Sequence, residues 1–522
     1  MKSPNSSKQK KQENFKWPSK SSSIKRHDLH NFESKIEYRY SLENSHDKKR
    51  TSYLMDMYFF IPKSLQINRE TYEKSLFYTD LNNKIRFKTP QMPIKGILDK
   101  KNILSPLNVI TVSLEKVEFG DTRPIIVRTI IRELRLLSSI VKTTLKDEYD
   151  FIIAFKEKKS HIKEISDWIQ SDIDMIQLFK NELRKIGKNL AKIQASKELK
   201  DAFKYSGEYI SLQVEKWLIH IIVSLEMYLE SKIKDLIISI IEDEQAYRAS
   251  INSKLIVYEG ASNEEFSYFE GITKKYVQGV LYLEKKKKDP KSSSLQLFYS
   301  VAAGFAMFIS LFLGFLFLAH FEENSFPFII SAVIIYMFKD RVKDAIKGMS
   351  QKAAGFFFPD RRIDIIDGFY KEKIGESKEK IIFMENDKIP SEISIIRHSS
   401  AKDTIESEGK PEECILFRKK IELYKNKIDK LHTRRKDISD IIRFNIYNFL
   451  RFTDDPWDER LSWNNIQHQI ETLKISKEYH INIVIKMTTF QEKGSKNILY
   501  KKFRIIIDQQ GIKKVKELIL SI

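Results

Sequence analysis

The densest run of carboxylates in this chain is Asp454-Asp455-Pro456-Trp457-Asp458-Glu459-Arg460. Paired carboxylates can hold a hard cation through oxygen ligands or share acid–base work. The spacing matches no EF-hand loop, however, and proline in an acidic run marks an exposed turn. A second mixed cluster is Arg361-Arg362 with Asp364 and Asp367. Alternation along a strand, or salt-bridging on a surface, explains it as well as any chemistry. The ten histidines form no HExxH and no metal-ligand spacing. The sequence holds no GxxxxGK[ST], GxGxxG or GxSxG, so phosphate loops and nucleophile elbows lack support. Neither a catalytic residue, nor a cofactor, nor a metal site can be named. The single cysteine, Cys414, excludes an intramolecular disulfide and a Cys-rich zinc site and agrees with a reducing compartment.

Basic residues are the more informative chemistry. Arg128, Arg132, Arg135 and Lys142 recur beside an apolar series, Ile126, Ile130, Leu134, Leu137, Val141 and Leu145, that specifies a helix. A basic amphipathic helix of this kind suits an anionic lipid surface or nucleic acid. A solvated bundle face is the commoner reason for such a pattern. Overall the net charge is +20 and the pI about 9.4, a balance that fits an anionic membrane face, nucleic acid or acidic partners. The membrane surface is the simplest of these, and nucleic acid is the less favoured partner.

What makes a membrane the simplest partner is Leu297 to Ala319, an uncharged stretch in a chain with 31% charged residues. A helix needs roughly 20 apolar residues to cross a bilayer. Ala302, Ala306, Ser310 and Gly314 are spaced by four and stack on one helix face, where small residues admit a close partner helix. A second apolar run, Phe326 to Phe338, would span only about 20 Å as a helix. Lys339, Arg341 and Lys343 could snorkel to extend it, and Pro327 suits a first helical turn. A re-entrant or interfacial segment is the rival reading of this run. Lysines flank the pair on both sides, Lys285 to Lys288 and Lys291 before it, Lys339, Arg341, Lys343, Lys347 and Lys352 after it. The connection carries Glu322 and Glu323 and no cation, so the positive-inside rule predicts a two-span hairpin with both termini cytoplasmic.

Other elements must position these groups, and they predict an α+β multidomain membrane protein. Residues 1–34 read as a disordered basic arm. Residues 35–120 read as a small α+β region, with a strand at Tyr53 to Ile61, a helix capped by Asn68 and running to about Asn83, and a strand at Asn108 to Ser113. Residues 121–288 read as long helices of a bundle or coiled coil. One seam runs from Ile162 to Ile193 and one series from Val214 to Ile240, with a shorter helix or linker to Lys288. The hairpin occupies 295–343, its second helix continuing to Phe356-Phe357-Phe358-Pro359. A β-rich α+β domain follows over 356–522. It has strands at Ile393 to Arg397, Ile415 to Leu423, Ile481 to Met487 and Phe503 to Ile507, a polar loop at Ser400 to Pro411, helical spacing at Ile438 to Leu450, and a terminal helix at Lys513 to Leu520. The functional expectation is a membrane-anchored scaffold or sensor that binds proteins, or its own copies, through the helical region. A membrane-active effector with oligomerised hairpins is the alternative. An enzyme with a dispersed site is a third.

Overall fold

The eight-stranded sheet that organises the molecule is assembled from distant parts of the chain. The computed structural model describes residues 23–39, 50–121, 123–156, 162–192, 195–288, 292–319, 326–399, 412–434, 437–490 and 496–518. In chain order the elements begin with strands β1 (Ser23–Arg26), β2 (Asn31–Arg39) and β3 (Arg50–Pro62). Helix α1 (Lys74–Asp80), strand β4 (Leu81–Phe87) and helices α2 (Ile94–Leu98) and α3 (Pro106–Glu118) follow. Then come the long helices α4 (Pro124–Lys156), α5 (Ile162–Lys192), α6 (Lys197–Leu225), α7 (Ser231–Ser250) and α8 (Glu264–Gln278). Strand β5 (Glu284–Lys288) leads into helices α9 (Ser292–Leu318) and α10 (Phe326–Phe357). The remainder is β6 (Arg361–Ile366), β7 (Lys373–Met384), α11 (Ser391–His398), β8 (Glu412–Tyr424), α12 (Lys425–Leu431) and β9 (Asp437–Asn445), then β10 (Trp457–Asn464), β11 (Gln469–Ser476), β12 (Tyr479–Phe490), β13 (Lys496–Asp508) and β14 (Gly511–Leu518).

The large sheet has the order β14-β13-β12-β3-β8-β7-β6-β5, and all its pairs are antiparallel. A four-stranded sheet, β1-β2-β9-β4, packs against it, and β10-β11 form a separate hairpin. Strands from before residue 120 and after residue 356 share both sheets. β3 lies in the middle of the large one, and its near-continuous apolar run YLMDMYFFI suits a strand covered on both faces. One face carries Met55, Met57, Phe59 and Ile61 into the main core with Phe417, Ile483 and Ile505. The other carries Tyr58 and Phe60 into a smaller cluster with Leu416 and Val484, closed by Ile393 and Ile396 of α11.

The helices share that main core. On α4 the expected face is buried at Ile126, Ile130, Leu134, Leu137, Val141 and Leu145, and α4 packs against α3, α6 and α8. On α5 Ile165, Ile169, Ile173, Ile176, Phe179, Leu183, Ile186 and Leu190 are buried, while Ile193 lies outside the described residues. The molecule is therefore α+β, with a helical region and a β-rich C-terminal part.

Several expectations are corrected. The arm read over 1–34 contains β1 and the start of β2, which pair with each other and with β9; residues 1–22 lie outside the described residues. The Asn68 side chain accepts from Glu70 and Thr71 N–H groups in a turn, and the helix begins only at Lys74 and ends at Asp80. Asn108 to Ser113 is helical within α3, because Leu107, Ile110, Leu114 and Val117 bury one stripe at helical spacing after Ser105-Pro106. The Val214 to Ile240 series is broken by a short 3-10 turn at Glu226–Tyr228 into two helices. Before Lys288 the chain forms strand β5, paired to β6. Ile393 to Arg397 is helix α11, with Ile393, Ile396 and Arg397 buried. Asp437–Asn445 is strand β9, and only Tyr447–Phe452 coils, as a 3-10 turn. The terminal helix is strand β14, which enters through Gly511 at φ 129°, a conformation that favours glycine. The Ser400 to Pro411 loop and the turn around Gly494 lie outside the described residues.

Candidate functional site

The feature most unlike an ordinary soluble fold is the helix pair inserted between two adjacent strands. β5 ends at Lys288, opposite Arg362 of β6, so the chain leaves one strand, builds α9 and α10, and returns to the strand beside it. Among the described residues one helix is long and apolar enough to cross a membrane, over Tyr299–Leu316, and only 6% of that window is buried. Val301, Phe305, Phe308, Leu311, Phe312 and Phe315 are exposed on α9, and Ile329, Val333, Ile334 and Phe338 on α10. α9 and α10 pack against each other. Ala306 is 2% exposed, Ser310 and Gly314 are half-buried, and the Ala302 side chain lies outside the described set. The return from α10 is pinned to the body. Asp360 accepts from Lys74 at 3.0 Å and from the Ile381 N–H at 2.7 Å, and Arg361 lies 3.8 Å over the Tyr78 ring.

The Arg361-Arg362 cluster resolves into an ion-pair network on the outer face of β5, β6 and β7. Asp364 pairs with Lys288 at 2.6 Å and Lys373 at 2.7 Å, and Glu376 pairs with Arg362 at 2.8 Å and Lys378 at 2.9 Å. Burial pushes the Glu376 carboxyl up, but the hydrogen bonds from Arg362 and Lys378 prevail and hold it at about 2. Asp367 faces a different neighbourhood. It accepts from Phe369 and Tyr370 N–H groups at 2.9 and 2.8 Å and lies 2.7 Å from His432 Nε2. Burial again opposes ionisation, and the His432 contact with the Tyr370 N–H brings the carboxyl down to about 2.

The four basic positions do not form one surface. Arg128 is exposed. Arg132 donates to Tyr370 Oη at 2.8 Å, pairs with Glu133 at 3.0 Å and lies 4.5 Å over Phe369. Glu133 also binds Arg434, so α4 is tied here to the β6–β7 turn and to the segment before β9. Arg135 donates to Tyr276 O at 2.8 Å and covers the Tyr276 ring at 4.7 Å. Lys142 is half-buried and makes no hydrogen bond or ion pair among the described residues. Burial, then Lys274, Lys216 and Arg86, push its ammonium down to about 8. Arg132 thus fastens α4 to the β6–β7 turn and Arg135 fastens α4 to α8, which a sequence cannot show because Tyr370 and Tyr276 lie more than 100 residues away.

The acidic run does not converge. Asp454 bonds to Tyr479, Asp458 pairs with Arg460 and Glu459 with Lys474, and neighbouring residues of β10 face opposite ways. Among the described residues no group of three His, Cys, Asp or Glu could hold a metal ion. Cys414 is buried, and burial pushes its thiol up to about 12, which disfavours the thiolate. Sequence reasoning missed two buried pairs. Lys419 and Asp440, both 0% exposed, meet at 2.6 Å between the two sheets. Arg248 on α7 binds Glu215 and Ser211 Oγ on α6 and the Leu255 carbonyl. It also missed β10–β11, whose exposed Trp457, Leu461, Trp463 and Ile470 alternate visibly in the sequence. No family model, curated protein or solved structure matches this chain.

Proposed function

We propose that this chain is a membrane-anchored scaffold or sensor whose mixed α+β body is held at the bilayer face by α9 and α10. The observation that carries this reading is the insertion of an exposed apolar helix pair between paired strands β5 and β6. That pairing supports two crossings, because a single crossing would leave β5 and β6 on opposite sides of the bilayer. α9 has 27 residues and reaches about 40 Å, beyond the roughly 30 Å of hydrocarbon. α10 carries its apolar residues first, and its later turns extend into the aqueous side. The exposed lysines of β5 support a cytoplasmic body by the positive-inside rule. Protein binding is supported by exposed apolar residues around α3: Ile103 is 86% exposed and Phe119 90%, with Val112 and Ile125 nearby in the chain. The effector alternative needs the small-residue face of α9 free for contacts between chains, and Ala306 on that face is covered. Reporter fusions at Lys288, Asn324 and Lys352 test the reading. The outer positions should report cytoplasm and Asn324 the opposite side. A non-cytoplasmic signal at Lys352 would refute it.

A further inference from the structure

The β10–β11 hairpin is an anomaly in a folded protein. It is a two-stranded sheet of its own, with eight paired positions, and an isolated hairpin is at best marginally stable in water. Its side chains are mostly exposed and none is buried. Trp457, Leu461 and Trp463 share one face of β10, and Trp463 stands opposite Ile470 of β11. Leu461 to Ile470 reads LSWNNIQHQI, ten residues without a charge, in a chain where nearly a third are charged. At the tip, Trp463 is 56% exposed and Ile466 90% exposed.

The sheet register says where this hairpin stands. Arg361, Glu379, Lys419, Met55 and Met487 form one row across the large sheet, each opposite the next. β6 begins at that row and runs away from the end that holds the start of β12, so α10 enters, and β5 departs toward α9, at the row itself and on the side facing that end. Along β12 that end is marked by Asn482, which is aligned with Phe60, Cys414 and Met384. β12 begins still farther out, at Tyr479, about 26 Å from the Arg361 row at 3.3 Å per residue. The hairpin neck is fixed there. Lys477 N–H donates to Pro456 O at 3.0 Å, and Asp454 N–H donates to Tyr479 Oη at 3.1 Å. In register, the apolar helices and the tryptophan hairpin therefore leave on the same side of the Arg361 row, from strands four places apart in the sheet.

We infer that the tip of β10–β11 is a second membrane contact, seated at the lipid interface beside the helical anchor. Tryptophan favours that interface, where its ring meets both apolar and wet surroundings. The acidic residues Asp454, Asp455, Asp458 and Glu459 sit toward the neck and remain in water, while Glu471 beside the tip accepts from the Asn464 side-chain amide at 2.8 Å. Two anchors on one side of the Arg361 row fix the body's orientation on the membrane, which one helix pair cannot do alone. The inference rests on the membrane reading above.

The test uses the full chain reconstituted in phosphatidylcholine vesicles. Cys414 is buried with its thiol pushed up, so an environment-sensitive label goes to an introduced cysteine at neutral pH. Three sites are compared: Ile466→Cys at the tip, Phe308→Cys on α9, and Glu372→Cys in the β6–β7 turn at the far end of the sheet. With spin-labelled lipid in the vesicles, fluorescence should fall at the first two and stay unchanged at the third. Quenching at Phe308→Cys without quenching at Ile466→Cys overturns the second contact and leaves the anchor standing. Quenching at neither overturns both. A label at Ile466→Cys that lipid does not quench, but that crosslinks to another copy, assigns the hairpin to a chain–chain interface and overturns the lipid contact.

Discussion

Removing either partner of the Lys419–Asp440 pair should be among the most damaging changes in the body. The two side chains meet at 2.6 Å with no exposed surface, one on β8 of the large sheet and one on β9 of the small sheet. Glu379 lies directly across from Lys419 on β7, donates nothing, and accepts from Asn83 at 3.2 Å. Nearby Lys285 reaches the Asn83 carbonyl. Lys285 is exposed, so the enclosed pair is Lys419 with Asp440. Lys419→Met leaves the Asp440 carboxylate, and Asp440→Leu the Lys419 ammonium, without its partner in a site closed to water. An unbalanced buried charge of this kind costs about 3–5 kcal/mol. Total stability of a domain is only about 5–15 kcal/mol, so either variant should be severely destabilised. The double variant removes both charges and keeps apolar volume, and should recover most of the loss. Urea unfolding of the full chain in detergent, followed by circular dichroism, reads this as a shift of the midpoint. If each single variant costs less than about 1 kcal/mol, or the double costs the sum of the two, the sheets do not enclose this pair.

The Asp367 carboxyl should govern part of the acid response. Its folded value, about 2, lies below the ordinary 3.8, so its contribution is full above pH 4 and is lost as pH falls toward 2. That contribution is about 2 kcal/mol, and Asp367→Asn should flatten the acid limb of the stability profile over this window; an unchanged limb would show that His432 does not hold the charge. Gly375→Ala should destabilise by about 1–3 kcal/mol in urea, because a Cβ there would lie 2.6 Å from the Glu422 carbonyl oxygen and 3.0 Å from Leu423 Cδ2; no loss would mean that β7 and β8 separate readily. Ala306→Leu should leave α9 in the membrane fraction but abolish a disulfide engineered between α9 and α10, since the added volume falls at a covered position; an undiminished crosslink would turn that face toward lipid.

What the sequence made legible follows the range of the interactions involved. Strands Tyr53 to Ile61, Ile415 to Leu423, Ile481 to Met487 and Phe503 to Ile507 were readable because each is a dense run of β-prone apolar residues. The faces of α4 and α5 were readable because a helix repeats its burial locally. β9 was misread for a reason that only tertiary structure supplies. Ile438, Asp440, Ile442 and Phe444 share one buried face of the strand, and the aspartate breaks the apolar alternation. Asp440 is tolerated there because Lys419 arrives from a strand of the opposite sheet. α3 failed in the opposite sense, since Val109, Ile110 and Val112 favour strand locally while the stripe through Leu107, Ile110, Leu114 and Val117 packs as helix. The same logic governs the functional features. The apolar helix declared itself by composition, which needs no partner. Its placement between β5 and β6 depends on a pairing across the helix pair itself, such as Lys288 with Arg362, and the position of the tryptophan hairpin depends on pairings between residues more than 400 positions apart, such as Met55 with Met487. Register across that sheet is what relates the two separate apolar segments to each other.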